Sequence, residues 1–237
     1  MSEGTNFTKA GELKFDQPIW DSGIKWLCGV DEAGRGPLAG PVISAAVILP
    51  AGCGIPGADD SKKVSEKDRL RLEGEIKSKA VSWGIGSATV DEINSLNILQ
   101  ATFLAMKRAV NELNVKPQYI LIDGRDFPAI FYRKDAGSLR GQSVIKGDEQ
   151  SLSIACASIL AKVHRDRLMC EYAKKYPEYH FERHKGYGTS EHRRNILEYG
   201  PSPLHRKIFL RKLLNKEIRQ YHEESSLFDG FYGGGEK

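Results

Sequence analysis

The chain of 237 residues carries 35 Lys and Arg against 31 Asp and Glu, a formal charge of +4, with 40% hydrophobic and 28% charged residues. That balance suits one large water-exposed domain and excludes a wholly disordered chain. Its four cysteines, Cys28, Cys53, Cys156 and Cys170, form no CxxC pair, which argues against a zinc ribbon or disulfide scaffold and points to a reducing, cytoplasmic compartment.

Residues 1–25 read as an irregular leader, with Glu3, Glu12, Asp16 and Asp21 but no apolar signal core. Trp26-Leu27-Cys28-Gly29-Val30 is a short apolar run, expected to be an interior strand that ends at the paired acids Asp31 and Glu32. The uncharged run 36–58 holds Pro37, Pro41, Pro50 and Pro56, which break a membrane-spanning helix; Val42 to Leu49 reads as a second buried strand. Ser65 caps a charged helix reaching Lys79. Val81 to Ala88 predicts a third strand, and Ile98 to Leu113 a helix presenting Leu99, Phe103, Met106 and Val110 on one side. After Pro117, Tyr119-Ile120-Leu121-Ile122 forms a fourth strand that delivers Asp123. Gln142 to Ile145 is a fifth, followed by Asp148 and a long helix with Ile154, Ile159, Leu160 and Val163. Helices at about 190–199 and 204–220 precede a glycine-rich tail. The order predicts an α/β fold, a mixed sheet with a helical C-terminal appendage.

Charge is uneven along the chain. Residues 1–161 hold 19 basic and 20 acidic side chains, whereas 162–219 hold 15 basic and 7 acidic with five of the six histidines. A basic C-terminal third suits a polyanionic partner, or a set of solvated helix faces. Three strands end in carboxylates: Asp31 and Glu32, Asp123, and Asp148 beyond the fifth. Such acids in one cleft repel each other unless cations compensate, and oxygen ligands without His or Cys suit Mg²⁺ or Mn²⁺. Unrelated strand-end acids are the plainer alternative. Gly34-Arg35-Gly36 lets a backbone approach a ligand closely and adds a guanidinium fork, or serves as a tight turn.

The segment Val30-Asp31-Glu32-Ala33-Gly34-Arg35-Gly36-Pro37-Leu38-Ala39-Gly40-Pro41 resembles the signature of the type 2 ribonucleases H. The resemblance continues through Asp60-Ser61-Lys62-Lys63, Leu121-Ile122-Asp123-Gly124, Lys146-Gly147-Asp148, the helix 157–163 with Arg165-Asp166, His184-Lys185-Gly186-Tyr187-Gly188-Thr189 and Pro203-Leu204-His205-Arg206. It implies an RNase H-like five-stranded mixed sheet flanked by helices over 26–189, a basic helical extension over 190–220 and a tail over 221–237.

It also implies hydrolysis of RNA in RNA–DNA hybrids and nicking 5′ of single ribonucleotides in duplex DNA. The implied cage for two divalent ions is Asp31, Glu32, Asp123 and Asp148, with Asp31 bridging. Gly34, Arg35, Gly36 and Tyr187 would read the ribose, and Lys62, Lys162, His205 and Arg206 would grip phosphates. Because side chains alternate, Asp31 and Glu32 can both serve only if the strand ends or bulges there. Asp148 is expected to open the long helix, where the dipole favours its anion. Another metal-dependent nuclease of this fold, of resolvase or transposase type, and a non-catalytic hybrid-binding module are the rival readings. In the tail, Glu224-Ser225-Ser226-Leu227-Phe228 resembles a peptide that docks bacterial replication proteins on the sliding clamp.

Overall fold

In the computed structural model, which describes residues 15–58, 64–131 and 140–211, the apolar runs become five strands. These are β1 (Leu27–Ala33), β2 (Val42–Ile48), β3 (Ser82–Ala88), β4 (Tyr119–Asp123) and β5 (Arg140–Val144). They form one sheet in the order β3-β2-β1-β4-β5. The neighbours β1–β2 and β2–β3 run antiparallel, whereas β1–β4 and β4–β5 run parallel. The parallel half requires crossovers, and between β1 and β4 the chain passes through β2, β3 and three helices.

The helices are α1 (Asp16–Asp21), α2 (Glu66–Lys79), α3 (Val90–Leu96), α4 (Ile98–Asn111), α5 (Leu152–Lys175), α6 (Phe181–His184) and α7 (Ser190–Tyr199). On one face of the sheet Leu27, Ile43, Val47 and Leu121 pack against Ile154, Ala157, Leu160 and Ala161 of α5. On the other, Val30, Ala46, Ile48, Ile120 and Ile122 pack against Met106 and Ala109 of α4. Strands covered on both sides read as continuous apolar runs, and each large aliphatic side chain buried there stabilises the fold by about 1.5–3 kcal/mol. Gly29 is required where α5 crosses β1, since a Cβ there would lie 2.1 Å from the Ser153 carbonyl carbon. None of the helices among the described residues is long and apolar enough to cross a membrane.

Four local expectations change. The part of the leader that is described holds α1, and Asp16 accepts hydrogen bonds from the Ser153 amide (2.9 Å) and hydroxyl (2.7 Å) at the start of α5. A separate helix, α3, precedes α4; its signal was Thr89-x-x-Glu92, which forms a reciprocal capping box. The fully buried side of α4 is Ala101, Thr102, Ala105, Met106 and Ala109 rather than the Leu99–Phe103–Val110 stripe, because Gly84 and Gly86 let the helix backbone close on β3. The C-terminal helix begins at residue 207, not 204. The predicted Ser65 cap is present, accepting from the Asp68 amide at 3.1 Å.

Candidate active site

β1 runs in unbroken register through both acids, with Asp31 opposite Ala45, Glu32 opposite Ser44 and Ala33 opposite Ile43. The strand therefore neither ends nor bulges at the acids, contrary to expectation. Alternation turns Asp31 toward α5, where Ser158 hydrogen-bonds it, and starts Glu32 from the opposite face. β1 ends one residue later at Ala33, and the Glu32 carboxylate stays close enough to act on Asp31 and to feel the Asp123 charge, so both acids can serve one site without a bulge. Parallel pairing with β4 stops at Val30–Ile122, so Asp31 and Asp123 are the next step on two adjacent strands. Asp123 accepts from the Gly147 amide at 2.6 Å. That bond anchors a 3₁₀ turn, Gly147–Glu149, which carries buried Asp148. Asp148 thus sits in this turn ahead of α5, whose own cap is Ser151, and does not open the helix.

Burial is the main force on these carboxyls. It raises Asp31 well above the carboxylate range, and the negative charges of Glu32 and Asp123 push it further; bonds from Ser158 and the Glu32 amide oppose. Glu32 is also raised, by burial first, with Arg35 opposing and Asp123 adding. One Glu32 oxygen pairs with Arg35 at 3.2 Å, and the other, Oε2, is buried without a hydrogen-bond partner. Like charges held together out of water, one with an orphaned oxygen, are the donor set that a hard divalent cation neutralises. No group of three or more Asp, Glu, His or Cys among the described residues forms a ready-made cage; Asp31, Glu32 and Asp123 each have an oxygen engaged with a neighbour.

Beyond Ala33 the chain turns through Gly34, whose φ of +96° favours glycine and where a Cβ would lie 2.1 Å from Arg165 Nε. Two buried arginines hold the loop from behind. Arg206 donates to the carbonyls of Gly34 (2.6 Å), Arg35 (3.0 Å), Gly40 (2.8 Å) and Pro41 (3.2 Å). Arg165 donates to Pro41 (3.1 Å), Ala39 (3.1 Å) and Lys185 (2.9 Å). Burial depresses both, Arg206 to about 9 with the Arg165 charge contributing. With its carbonyls drawn inward, the 34–41 loop presents its outer side to the cleft.

The bond from Arg165 to Lys185 links the loop to a second turn. Lys185 and Gly186 take left-handed conformations (φ 52° and 83°), and the Leu38 amide donates to the Gly186 carbonyl at 2.9 Å. The turn delivers Tyr187, 45% exposed, with its ring 3.8 Å from where a Cβ on Gly36 would lie and Arg165 5.9 Å from the ring centre.

The predicted residues therefore separate. Asp31, Glu32, Asp123, Gly34, Arg35, Gly36 and Tyr187 are brought to one side of the molecule, with the Asp148 turn bonded to Asp123. Lys162 lies one helical turn beyond Ser158 on α5 and pairs with Asp166 at 2.5 Å. Arg206 and His205 depart from the phosphate-gripping role: both are buried, and Arg206 binds backbone carbonyls with every guanidinium nitrogen. Lys62 and the tail segment Glu224 to Phe228 lie outside the described residues. Composition missed Ser158, Arg165 and His192; the signal for Arg165 was a charge within the apolar stretch of a long helix.

A mixed five-stranded sheet in this order, with acids at the ends of its central parallel strands, defines the RNase H-like class of nucleases. The family model described as Ribonuclease HII matches residues 28–212. The chain is 47% identical over 204 residues to the Ribonuclease HII of Caldanaerobacter subterraneus subsp. tengcongensis, covering 86% of this chain and 82% of that one. Among solved structures it is similar to the ribonuclease H2 of Pyrococcus horikoshii (TM-score 0.62, 27% identity, 77% and 92% covered). It shares its fold with Bst-RNase HIII solved in complex with Mn²⁺ (TM-score 0.55, 19% identity, 74% and 63% covered). The chain belongs to the ribonuclease HII family. It is accordingly an endoribonuclease of the ribonuclease H class.

Proposed function

We propose that this endonuclease cuts the RNA strand of RNA–DNA hybrids and nicks duplex DNA 5′ of a single embedded ribonucleotide, leaving 3′-hydroxyl and 5′-phosphate ends. The observation that carries the reading is the juxtaposition of buried, mutually repelling Asp31, Glu32 and Asp123 with the glycine loop and Tyr187. Asp31, Glu32, Asp123 and Asp148 would hold two divalent ions, Mg²⁺ or Mn²⁺. Such ions, when bound, supply an activated water and neutralise charge on the phosphate and the leaving oxygen.

The chain's own residues do the rest. Ser158 and the Glu32 amide fix Asp31, and the Gly147 amide fixes Asp123. The outward backbone of Gly34-Arg35-Gly36 is suited to hydrogen-bond a 2′-hydroxyl, the group that separates ribose from deoxyribose. The exposed Tyr187 ring gives the adjoining deoxyribose a surface to stack on. Lys162 and Lys62 add a salt-dependent, sequence-independent hold on phosphates. The four cysteines are free, in keeping with a reducing cytoplasm.

The test compares three duplexes of one sequence: all-DNA, DNA with one ribonucleotide, and a continuous hybrid. Cutting of the second and third but not the first, with product ends as stated, supports the reading; cutting of all-DNA duplex overturns it. For the tail, we propose docking on a sliding clamp through Glu224–Phe228. Binding lost in Leu227→Ala/Phe228→Ala supports this, and no association at tens of micromolar overturns it.

A further inference from the structure

Behind Tyr187 lies a group of three buried histidines that the chemistry above does not use. His184 and His192 stack with ring centres 4.3 Å apart, and Phe181 packs edge-on to both. His205 Nε2 is 3.0 Å from His192 Nε2. The outer nitrogens of this pair meet backbone: the Ser202 amide donates to His205 Nδ1 (2.9 Å), and His192 Nδ1 lies 2.9 Å from the Tyr187 carbonyl.

These backbone partners leave one assignment of protons. An amide can only donate, so His205 Nδ1 is bare and its Nε2 carries the hydrogen. A carbonyl can only accept, so His192 Nδ1 carries its hydrogen and its Nε2 is bare. The inner contact is then His205 Nε2–H donating to His192 Nε2, and both ends impose the same polarity. A further proton on His192 would set two Nε2–H groups against each other at 3.0 Å, and one on His205 would set its Nδ1–H against the Ser202 amide at 2.9 Å. Among the described residues, the titratable and charged groups near the rings are each other, His184 stacked on His192, Tyr179 edge-on to His205 (4.8 Å), and Arg206 next in the chain, and no carboxylate contacts either ring. Burial keeps both rings neutral, at about 4.

We propose that His192 and His205 form a neutral two-ring relay that positions Tyr187 for ribose discrimination, registering it against the glycine loop. The registration follows from adjacency. His205 reaches Tyr187 through His192, and the next residue, Arg206, holds the carbonyls of Gly34 and Arg35. One dipeptide thereby sets both sides of the ribose-reading cleft. His192 and His205 are positioning residues, and the proposal rests on the reading of Tyr187 given above.

Nitrogen-15 NMR of the imidazoles at pH 7 tests the relay directly. His205 in the Nε2–H form and His192 in the Nδ1–H form support it; the opposite tautomer at either ring, or a charged ring, overturns it. Activity supplies the functional arm, as the ratio of cleavage at a single embedded ribonucleotide to cleavage of a continuous hybrid. In His205→Phe, which keeps ring packing, the ratio should fall about fivefold to tenfold, the worth of one buried hydrogen bond. His205→Gln, which keeps a donor near Nε2, should recover most of it. If His205→Phe is folded and its ratio is unchanged while Tyr187→Ala lowers the ratio, the relay is wrong and the Tyr187 reading stands. If Tyr187→Ala leaves the ratio unmoved, the Tyr187 reading fails and the relay's role in discrimination fails with it.

Discussion

The two buried ionisable regions of this enzyme solve opposite problems. At the strand ends, like charges lie together, burial and mutual repulsion raise Asp31 and Glu32, and Glu32 Oε2 has no partner. Behind the glycine loop, Arg165 and Arg206 are as deeply buried, yet each guanidinium nitrogen meets a carbonyl. The first arrangement lowers stability and creates demand for cations; the second is satisfied and fixes geometry. The acid cluster tolerates frustration, and the arginine-held loop excludes it.

The sharpest way to break this contrast is to remove one member from each region. Asp31→Asn should abolish cleavage while leaving the melting temperature of the metal-free protein equal or higher, because repulsion is relieved. Arg206→Met should instead cost about 2–4 kcal/mol in denaturant unfolding, because several buried carbonyls lose their donor. Mg²⁺ should raise the melting temperature of the wild type and have little effect on Asp31→Asn. A large loss of stability in Asp31→Asn would reverse the assignment.

Two glycines sharpen it next. Gly34→Ala should destabilise by about 2 kcal/mol or more, since φ is +96° and the Cβ meets Arg165. Gly36→Ala has ordinary contact at 3.8 Å from Tyr187, so its unfolding midpoint should stay near the wild-type value. Its cleavage at an embedded ribonucleotide should nevertheless fall if a sugar must approach that backbone.

A smaller effect separates the regions by the sign of their pH dependence. His192 and His205 titrate near 4 when folded against about 6.5 unfolded. Their contribution is complete above about pH 6.5 and is lost as pH falls toward 4. Asp31 and Glu32 act oppositely in the metal-free protein: raised when folded, they favour the folded state as pH falls through their folded values. Unfolding measured between pH 7 and 4 should show a shallower acid loss in His192→Phe and a steeper one in Asp31→Asn. The smallest change belongs to Lys162→Ala, under about 1 kcal/mol because the pair with Asp166 is partly exposed. Its substrate affinity should show a salt slope reduced by about one phosphate contact.

Much of this was legible in the chain itself. The apolar runs 26–30, 42–49 and 119–122 announced strands because they are covered on both faces, and Asp31 and Asp123, closing the first and third, marked the end of the sheet where the candidate site lies. The unbroken passage of β1 through Asp31 and Glu32 was not legible, since only pairing with β2 shows that the strand continues. Nor was α3, although its capping box was in the sequence.

Sequence by itself determined the fold class, through apolar periodicity, and the family, through the resemblance of its ordered motifs, because both are local patterns. The employment of the basic residues was decided only by tertiary structure. Arg206 carries the same chemistry whether it faces a phosphate or a carbonyl, and its partners are set by residues as distant in the chain as Gly34 and Arg35. A charge in sequence announces that it needs a partner; burial among backbone carbonyls, which no local pattern encodes, decides which one it has.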